Sequence, residues 1–214
     1  MKHFTKILLI VVVMIFTGRA QAASEENPYQ LLQDVATKTF ARIKQEHAQI
    51  QKNPEMLRDV MEQELLPYID YNFSALKVLG KHFRTVPKDK IPEFIQVFRQ
   101  YLITTYALAM TYYTGQEVVF QPIREVGNDN TVTVRAIVKE PGRPDINISF
   151  KLRKNNKTNE WKAYDMVAEG ISLLSSKQSE FESILRQEGV QKVIDIMKEK
   201  ISQPISLEKP AKES

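Results

Sequence analysis

The sequence predicts an α+β fold in which helices from both ends of the chain pack against an antiparallel sheet. Apolar residues recur every three or four positions between residues 28 and 113, alternate singly after Gly115, and return to helical spacing after Gly170. Turn-forming residues interrupt the alternating region at 127–130, 140–145 and 154–159. We therefore expect a four-stranded meander with one apolar face, flanked by N- and C-terminal helices.

Start and stop signals place four helices before the sheet. An asparagine–proline pair at 27–28 and another at 53–54 each combine a capping residue with an early proline. The first helix is predicted to end near Gln49, and the second to end before Pro67. Asp70 is the candidate cap of the third helix, and the fourth extends from about Pro87 to residue 113.

Residues 1–22 have the features of a secretory signal peptide: a basic start, about ten apolar residues and a small-residue site ending at Ala22. That apolar run is too short to span a bilayer, which needs roughly 20 residues. We expect cleavage near Ala22, one domain over residues 23–204, and a flexible charged tail over 205–214. The mature protein is expected not to be membrane-embedded.

Charge and cysteine content narrow the class of protein further. The 30 basic residues fall to 27 once the signal peptide is removed, against 26 acidic residues, so the mature chain gives no reason to expect a nucleic-acid partner. Without cysteine the chain forms no disulfide and carries no lipidated cysteine at the cleavage site.

Residues that could support catalysis or metal binding are few. His47 and His82 stand alone without a ligand-spaced neighbour, so we predict no metal site and no cofactor. Asp165, with Tyr164 beside it, could act as a general base in a small cone-shaped enzyme. Strand alternation favours an outward-facing Asp165 instead, and we predict no catalytic residue.

The stretch 101–113, YLITTYALAMTYY, is a charge-free helical segment with four tyrosines. Its apolar arc of about 200° is wider than the single stripe of a surface helix. One interpretation is a central core helix. The other is a cavity wall, because tyrosine hydroxyls need partners or water when their rings are buried.

Five segments carry a family resemblance: NPYQLLQDVATKTFARI, QELLPYI, ALKVLGKHF, FRQYLITTYALAMTYYTGQ and WKAYDMVAEGISLLSSKQSEF. In this order they resemble the MlaC family, periplasmic phospholipid-binding proteins of Gram-negative bacteria. The resemblance implies a curved, nuclear-transport-factor-like sheet and helices around a deep apolar cavity that holds a glycerophospholipid.

The same resemblance implies a carrier role in the periplasm rather than catalysis. Such proteins exchange phospholipid between an outer-membrane lipoprotein paired with a porin and the periplasmic substrate-binding subunit of an inner-membrane ABC transport complex. This route maintains outer-membrane lipid asymmetry. The alternatives are a cone-fold enzyme acting on an apolar substrate and a chaperone-like module that binds proteins.

Two sets of site residues follow. The cavity is expected to be lined by apolar positions of the third and fourth helices, the inward strand faces and the segment after Gly170. These are Leu76, Leu79, Phe83, Phe98, Leu102, Tyr106, Met110, Val134, Ile148, Phe150, Met166 and Ile171. Partner docking is assigned to charges expected beside the mouth, namely Lys81, Arg84, Lys88, Lys90 and Arg143. Without a basic cluster in the predicted lining, the lipid head group is expected to lie in water at the mouth.

Overall fold

The computed structural model describes residues 26–207. The predicted signal peptide and the end of the predicted tail, residues 208–214, lie outside the described residues. Seven α-helices and five strands make up the described chain. The helices are α1 (Pro28–Gln45), α2 (His47–Lys52), α3 (Met56–Val60), α4 (Tyr71–Leu79), α5 (Lys90–Met110), α6 (Leu173–Gln187) and α7 (Gly189–Ser202). The strands are β1 (Glu117–Phe120), β2 (Thr131–Lys139), β3 (Ile146–Lys154), β4 (Trp161–Ala168) and β5 (Ile171–Ser172).

Two of the predicted helix starts are confirmed by their caps. The Asn27 side chain accepts hydrogen bonds from the backbone N–H groups of Tyr29 and Gln30, and Pro28 is the first helical residue. The Asp70 carboxylate accepts a hydrogen bond from the N–H of Phe73 at the start of α4. Each cap satisfies donors that a helix cannot satisfy itself.

The first two predicted helices are divided in the structure. The helix expected to reach Gln49 ends at Gln45, and α2 follows after Glu46. The helix expected to end before Pro67 comprises α3, a π-helical turn (Met61–Leu65) and a 3₁₀ turn (Leu66–Tyr68). Pro67 donates no hydrogen bond and its ring displaces the carbonyl four residues earlier, so a regular α-helix cannot continue through it.

The sheet is antiparallel throughout, in the order β1-β2-β3-β4-β5. It therefore has five strands rather than the predicted four, because the two-residue β5 pairs with the end of β4. Lys151 is opposite Asp165 and Leu152 is opposite Ala163, which leaves Tyr164 as an extra residue in a β-bulge.

Three hydrophobic clusters form the core of the described residues, and two of them position helices around the sheet. One joins α4, α5, α6 and α7 through residues that include Phe94, Phe181 and Met197. The other packs α1 against the sheet, with Val134 and Trp161 among its buried members. Between these clusters, part of the sheet face remains uncovered by helix side chains.

The folded domain extends past Pro204. Ile205, placed in the tail by the sequence pattern, is 4% exposed, and its N–H donates to Glu55 Oε1 at 2.7 Å. The Arg58 guanidinium donates to the carbonyl oxygens of Ile201 and Gln203 at 3.1 and 2.7 Å. These contacts attach the end of α7 to the start of α3.

Candidate functional site

A cavity of about 510 Å³ lies between α5, α1, the start of α6 and one face of the sheet. Its size is within the range of small-molecule pockets. Almost all of its wall is apolar side chain, and both the helices and the sheet contribute aromatic rings.

One face of α5 forms the longest part of the wall. Phe98, Leu102, Tyr106 and Met110 recur every four residues and all contact the cavity. The opposite face, which includes Ile103, Thr104 and Ala107, is buried in the core. The tyrosine-rich helix is therefore both a core helix and a cavity wall. All four tyrosines of the segment 101–113 line the cavity, with Tyr101 and Tyr106 on α5 and Tyr112 and Tyr113 just beyond its end.

The sheet forms the opposing wall through residues that share one face. Ala136 pairs with Ile148, and Phe150 pairs with Met166, across neighbouring strands. All four line the cavity. Because paired residues in an antiparallel sheet point to the same side, strand register alone generates this continuous apolar surface.

The mouth lies between the end of α5 and the start of α6. Ala109, Tyr112, Leu173 and Ser176 line the cavity and are also exposed to solvent. An occupant would enter and leave at this point.

Asp165 is buried, which corrects the expectation that it faces outward. Its side chain is only 3% exposed. Its carboxylate accepts hydrogen bonds from Lys151 Nζ at 3.0 Å, Ser172 Oγ at 2.8 Å and the N–H of Leu174 at 3.1 Å. The bulge at Tyr164 breaks the simple alternation, and the first turn of α6 covers the carboxylate. Asp165 thus anchors the start of α6 to the sheet.

Tyr106 lies close enough to Asp165 to be affected by its charge. Burial raises the pKa of the Tyr106 hydroxyl to about 12, and the negative charge of Asp165 acts in the same direction. The hydroxyl is therefore neutral over the whole physiological range and available as a hydrogen-bond donor.

Seven of the twelve predicted lining residues lie on the cavity wall: Phe98, Leu102, Tyr106, Met110, Ile148, Phe150 and Met166. The other five do not. Leu79 is buried among the helices, because its side of α4 packs on α5 and α6, and Leu76 on the same helix is half-buried. Phe83 is 41% exposed on a 3₁₀ turn.

The remaining two are on the sheet but outside the wall. Val134 is fully buried beneath α1, so α1 occupies the space in front of it. Ile171 is 62% exposed. It pairs with Ala168, which in turn pairs with the lining residue Ile148, so Ile171 continues the same face beyond the mouth.

The five predicted docking charges do not form one group beside the mouth. Lys90 begins α5 and Ala109 is close to its end, so about 28 Å of helix separates them. Lys81 and Lys90 form ion pairs with Glu182 and Glu93, and Arg84 and Lys88 are exposed.

Of the five, Arg143 lies close to the mouth, because it shares a hydrogen-bond partner with a residue that lines the cavity. It donates to Glu140 at 3.3 Å. The same carboxylate accepts a hydrogen bond from Gln116, which lines the cavity. Docking by any of the five residues stays a prediction.

The α1 contribution to the wall was not predicted. Leu32, Val35, Ala36, Thr39 and Phe40 all line the cavity. The signal in the sequence was the pair of small residues, Ala36 and Thr39, within an otherwise bulky apolar face. Small side chains at such positions leave space instead of filling a core.

Two further properties concern the whole described part of the chain. Between residues 26 and 207 no helix has both the length and the apolar character needed to cross a bilayer. Over the same residues, no three histidine, aspartate or glutamate side chains are grouped in a way that could hold a metal ion.

An α+β fold with an apolar cavity open at the surface defines a binding protein for an apolar or amphiphilic ligand. The family model described as MlaC protein matches residues 33–199, and the chain belongs to this family. The resemblance inferred from the sequence is thereby confirmed.

Two known proteins are similar to the chain over most of its length. It is 33% identical over 205 residues to the intermembrane phospholipid transport system binding protein MlaC of Haemophilus influenzae, covering 95% of each chain. Its fold matches a phospholipid-binding protein from Ralstonia solanacearum, solved in complex with a phospholipid, with a TM-score of 0.72. That match has 21% identity and covers 83% of this chain and 98% of the other.

Proposed function

We propose that the protein is a periplasmic carrier that encloses the acyl chains of a glycerophospholipid in its cavity. The observation that carries the proposal is the apolar cavity between α5 and the sheet, about 510 Å³ in volume. The names of the two similar proteins, one in intermembrane phospholipid transport and one bound to a phospholipid, support the same ligand.

The length of the wall suits acyl chains. From Phe98 to Met110 the lining face of α5 runs about 18 Å. A bilayer core about 30 Å thick contains two leaflets, so the chains of one leaflet need about 15 Å. An acyl chain can thus lie along α5 with its whole length inside the cavity.

The carrier would exchange lipid with membrane-bound partners. We assign these as an outer-membrane lipoprotein with its porin and the periplasmic subunit of an inner-membrane ABC transport complex, which together maintain outer-membrane lipid asymmetry. Family membership and the signal-like N-terminus support this assignment. The two acyl chains of one lipid contain about 30 methylenes in total, and exposing them to water would cost on the order of 20 kcal/mol. Transfer must therefore occur while the carrier is docked on its partner.

A non-catalytic role agrees with the polar groups of the cavity. Asp165 is the one carboxylate among the described lining residues, and its oxygens already accept three hydrogen bonds. Three of the roughly four acceptor positions of the carboxylate are thus occupied by the protein, which leaves Asp165 little capacity to take a substrate proton.

Lipid extraction tests the proposed function. Purified protein is extracted with organic solvent, and the extract is analysed by mass spectrometry and phosphorus assay. We expect diacyl glycerophospholipid in stoichiometric amount. A protein that purifies without lipid and takes up no phospholipid from vesicles would contradict the carrier role. Turnover of an apolar substrate would favour the alternative of a cone-fold enzyme.

Docking is tested by charge reversal. Lys81→Glu, Arg84→Glu and Arg143→Glu combined should leave bound lipid unchanged and slow its transfer to the partner complexes, because complementary charge mainly accelerates association. Transfer at the original rate at physiological salt would mean that the docking surface lies elsewhere.

A further inference from the structure

Lys177 is the single basic side chain among the described residues that line the cavity. It lies on the second turn of α6, next to the mouth residue Ser176. Its Nζ is 5.6 Å from the ring centre of Tyr101 and 5.9 Å from that of Phe181. The aliphatic stem thus packs on apolar surface while the ammonium group remains at the boundary with water.

The ammonium group of Lys177 remains charged at physiological pH. Burial alone would lower its pKa, but the hydrogen bond with Glu180 and the contact with the Tyr101 hydroxyl outweigh burial, so the pKa is raised. A positive charge is therefore fixed at the end of an otherwise apolar wall.

The internal partner of Lys177 can be replaced. Glu180 is three residues further along the same helix and 49% exposed, whereas Lys177 is 33% exposed. Exposed pairs of this kind contribute little net energy, and water can solvate the released carboxylate.

Asp165 does not neutralise Lys177 from within the cavity. Its carboxylate is committed to Lys151, Ser172 and the backbone of Leu174. Glu180, which is not part of the cavity lining, is therefore the carboxylate with which a phosphate at the mouth would compete for Lys177.

We propose that the Lys177 ammonium group binds the phosphate of the lipid whose acyl chains fill the cavity. The inference rests on the proposed function and adds a preference for phospholipid over neutral diacylglycerol. A phosphodiester at the mouth would gain a charge-assisted hydrogen bond that a neutral diacylglycerol cannot form. It differs from the expectation that the head group lies at the mouth in water without a basic partner.

Competitive loading tests this inference. Delipidated protein is incubated with vesicles containing equimolar dioleoyl phosphatidylglycerol and dioleoylglycerol, and the ratio of the two bound lipids is measured by mass spectrometry. Lys177→Met should lower the phospholipid preference about tenfold, as expected for one partly exposed charged hydrogen bond. Lys177→Arg should keep most of it. Lys198→Met is the matched control, since Lys198 is also paired with a glutamate, Glu93, but lies outside the cavity lining.

Glu180→Gln separates binding from a merely structural role. If Lys177 acts on the lipid, removing its competing carboxylate should preserve or increase the phospholipid preference. If Lys177 matters only through its pair with Glu180, Glu180→Gln should reproduce Lys177→Met, which would overturn the inference. An unchanged lipid ratio in Lys177→Met would also overturn it.

Two further outcomes separate this inference from the proposed function. Wild-type protein that takes up neither lipid would overturn both proposals together. Binding of inorganic phosphate that is lost in Lys177→Met, combined with an unchanged lipid ratio in the same variant, would indicate a site for free anions and overturn the lipid assignment at Lys177.

Discussion

Replacing Ile148 with glutamate should empty the cavity while leaving the protein folded. Ile148 is on β3, pairs with Ala136 and Ala168, and faces the cavity opposite α5. When the cavity is empty, water can reach the new carboxylate through the mouth. When chains fill it, the carboxylate is unpaired in an apolar environment, at a cost of several kcal/mol. About 4 kcal/mol corresponds to roughly a thousandfold weaker binding.

Ile146→Glu is the matched control for this prediction. Ile146 lies two residues earlier on the same strand and the same face, but it is 46% exposed and outside the lining. Both variants are purified identically, and bound phospholipid is quantified per protein chain alongside thermal unfolding. We expect lipid loss in Ile148→Glu alone, with both proteins folded. Full lipid content in Ile148→Glu would refute the assignment of this cavity to acyl chains.

Two further predictions concern ionisable groups of the wall. The pKa of Tyr106 is about 12 in the folded protein, against 10.0 for a free tyrosine. The protonated hydroxyl therefore stabilises the folded state fully below pH 10, and this contribution is lost as the pH rises from 10 towards 12. Tyr106→Phe should therefore lose less stability than wild type between pH 8 and pH 11 in urea titrations. Identical pH dependence of the variant and the wild type would contradict this. Asp165→Asn removes the charge that holds Lys151 and should lower the free energy of unfolding by about 2 kcal/mol. Unchanged urea denaturation of Asp165→Asn would show that the buried carboxylate does not stabilise the start of α6.

Local features of the fold could be predicted from the sequence. Asn27 and Asp70 start helices where their capping chemistry indicated, and strands β2 and β3 follow single-residue alternation. These elements depend on neighbouring residues alone. Strand β5 has only two residues, which is too short to produce a periodic pattern.

The lining of the cavity depends on tertiary contacts that periodicity does not encode. Val134 and Ala136 alternate onto the same face of β2, but α1 covers Val134 while Ala136 remains on the wall. Asp165 was expected outside because one bulged residue, Tyr164, cannot be recognised from alternation. The helix that completes a wall is determined by packing between distant segments, which a pattern within one segment does not specify.

Photo-crosslinking tests the central claim, that acyl chains occupy the space between α5 and the sheet. The protein is loaded with phospholipid carrying a diazirine along one acyl chain, irradiated and digested, and the modified residues are identified by mass spectrometry. Our account predicts adducts on Tyr106, Met110, Ile148 and Phe150, which line the cavity. Adducts concentrated on exposed apolar residues outside it, such as Phe83 and Ile123, would contradict the account.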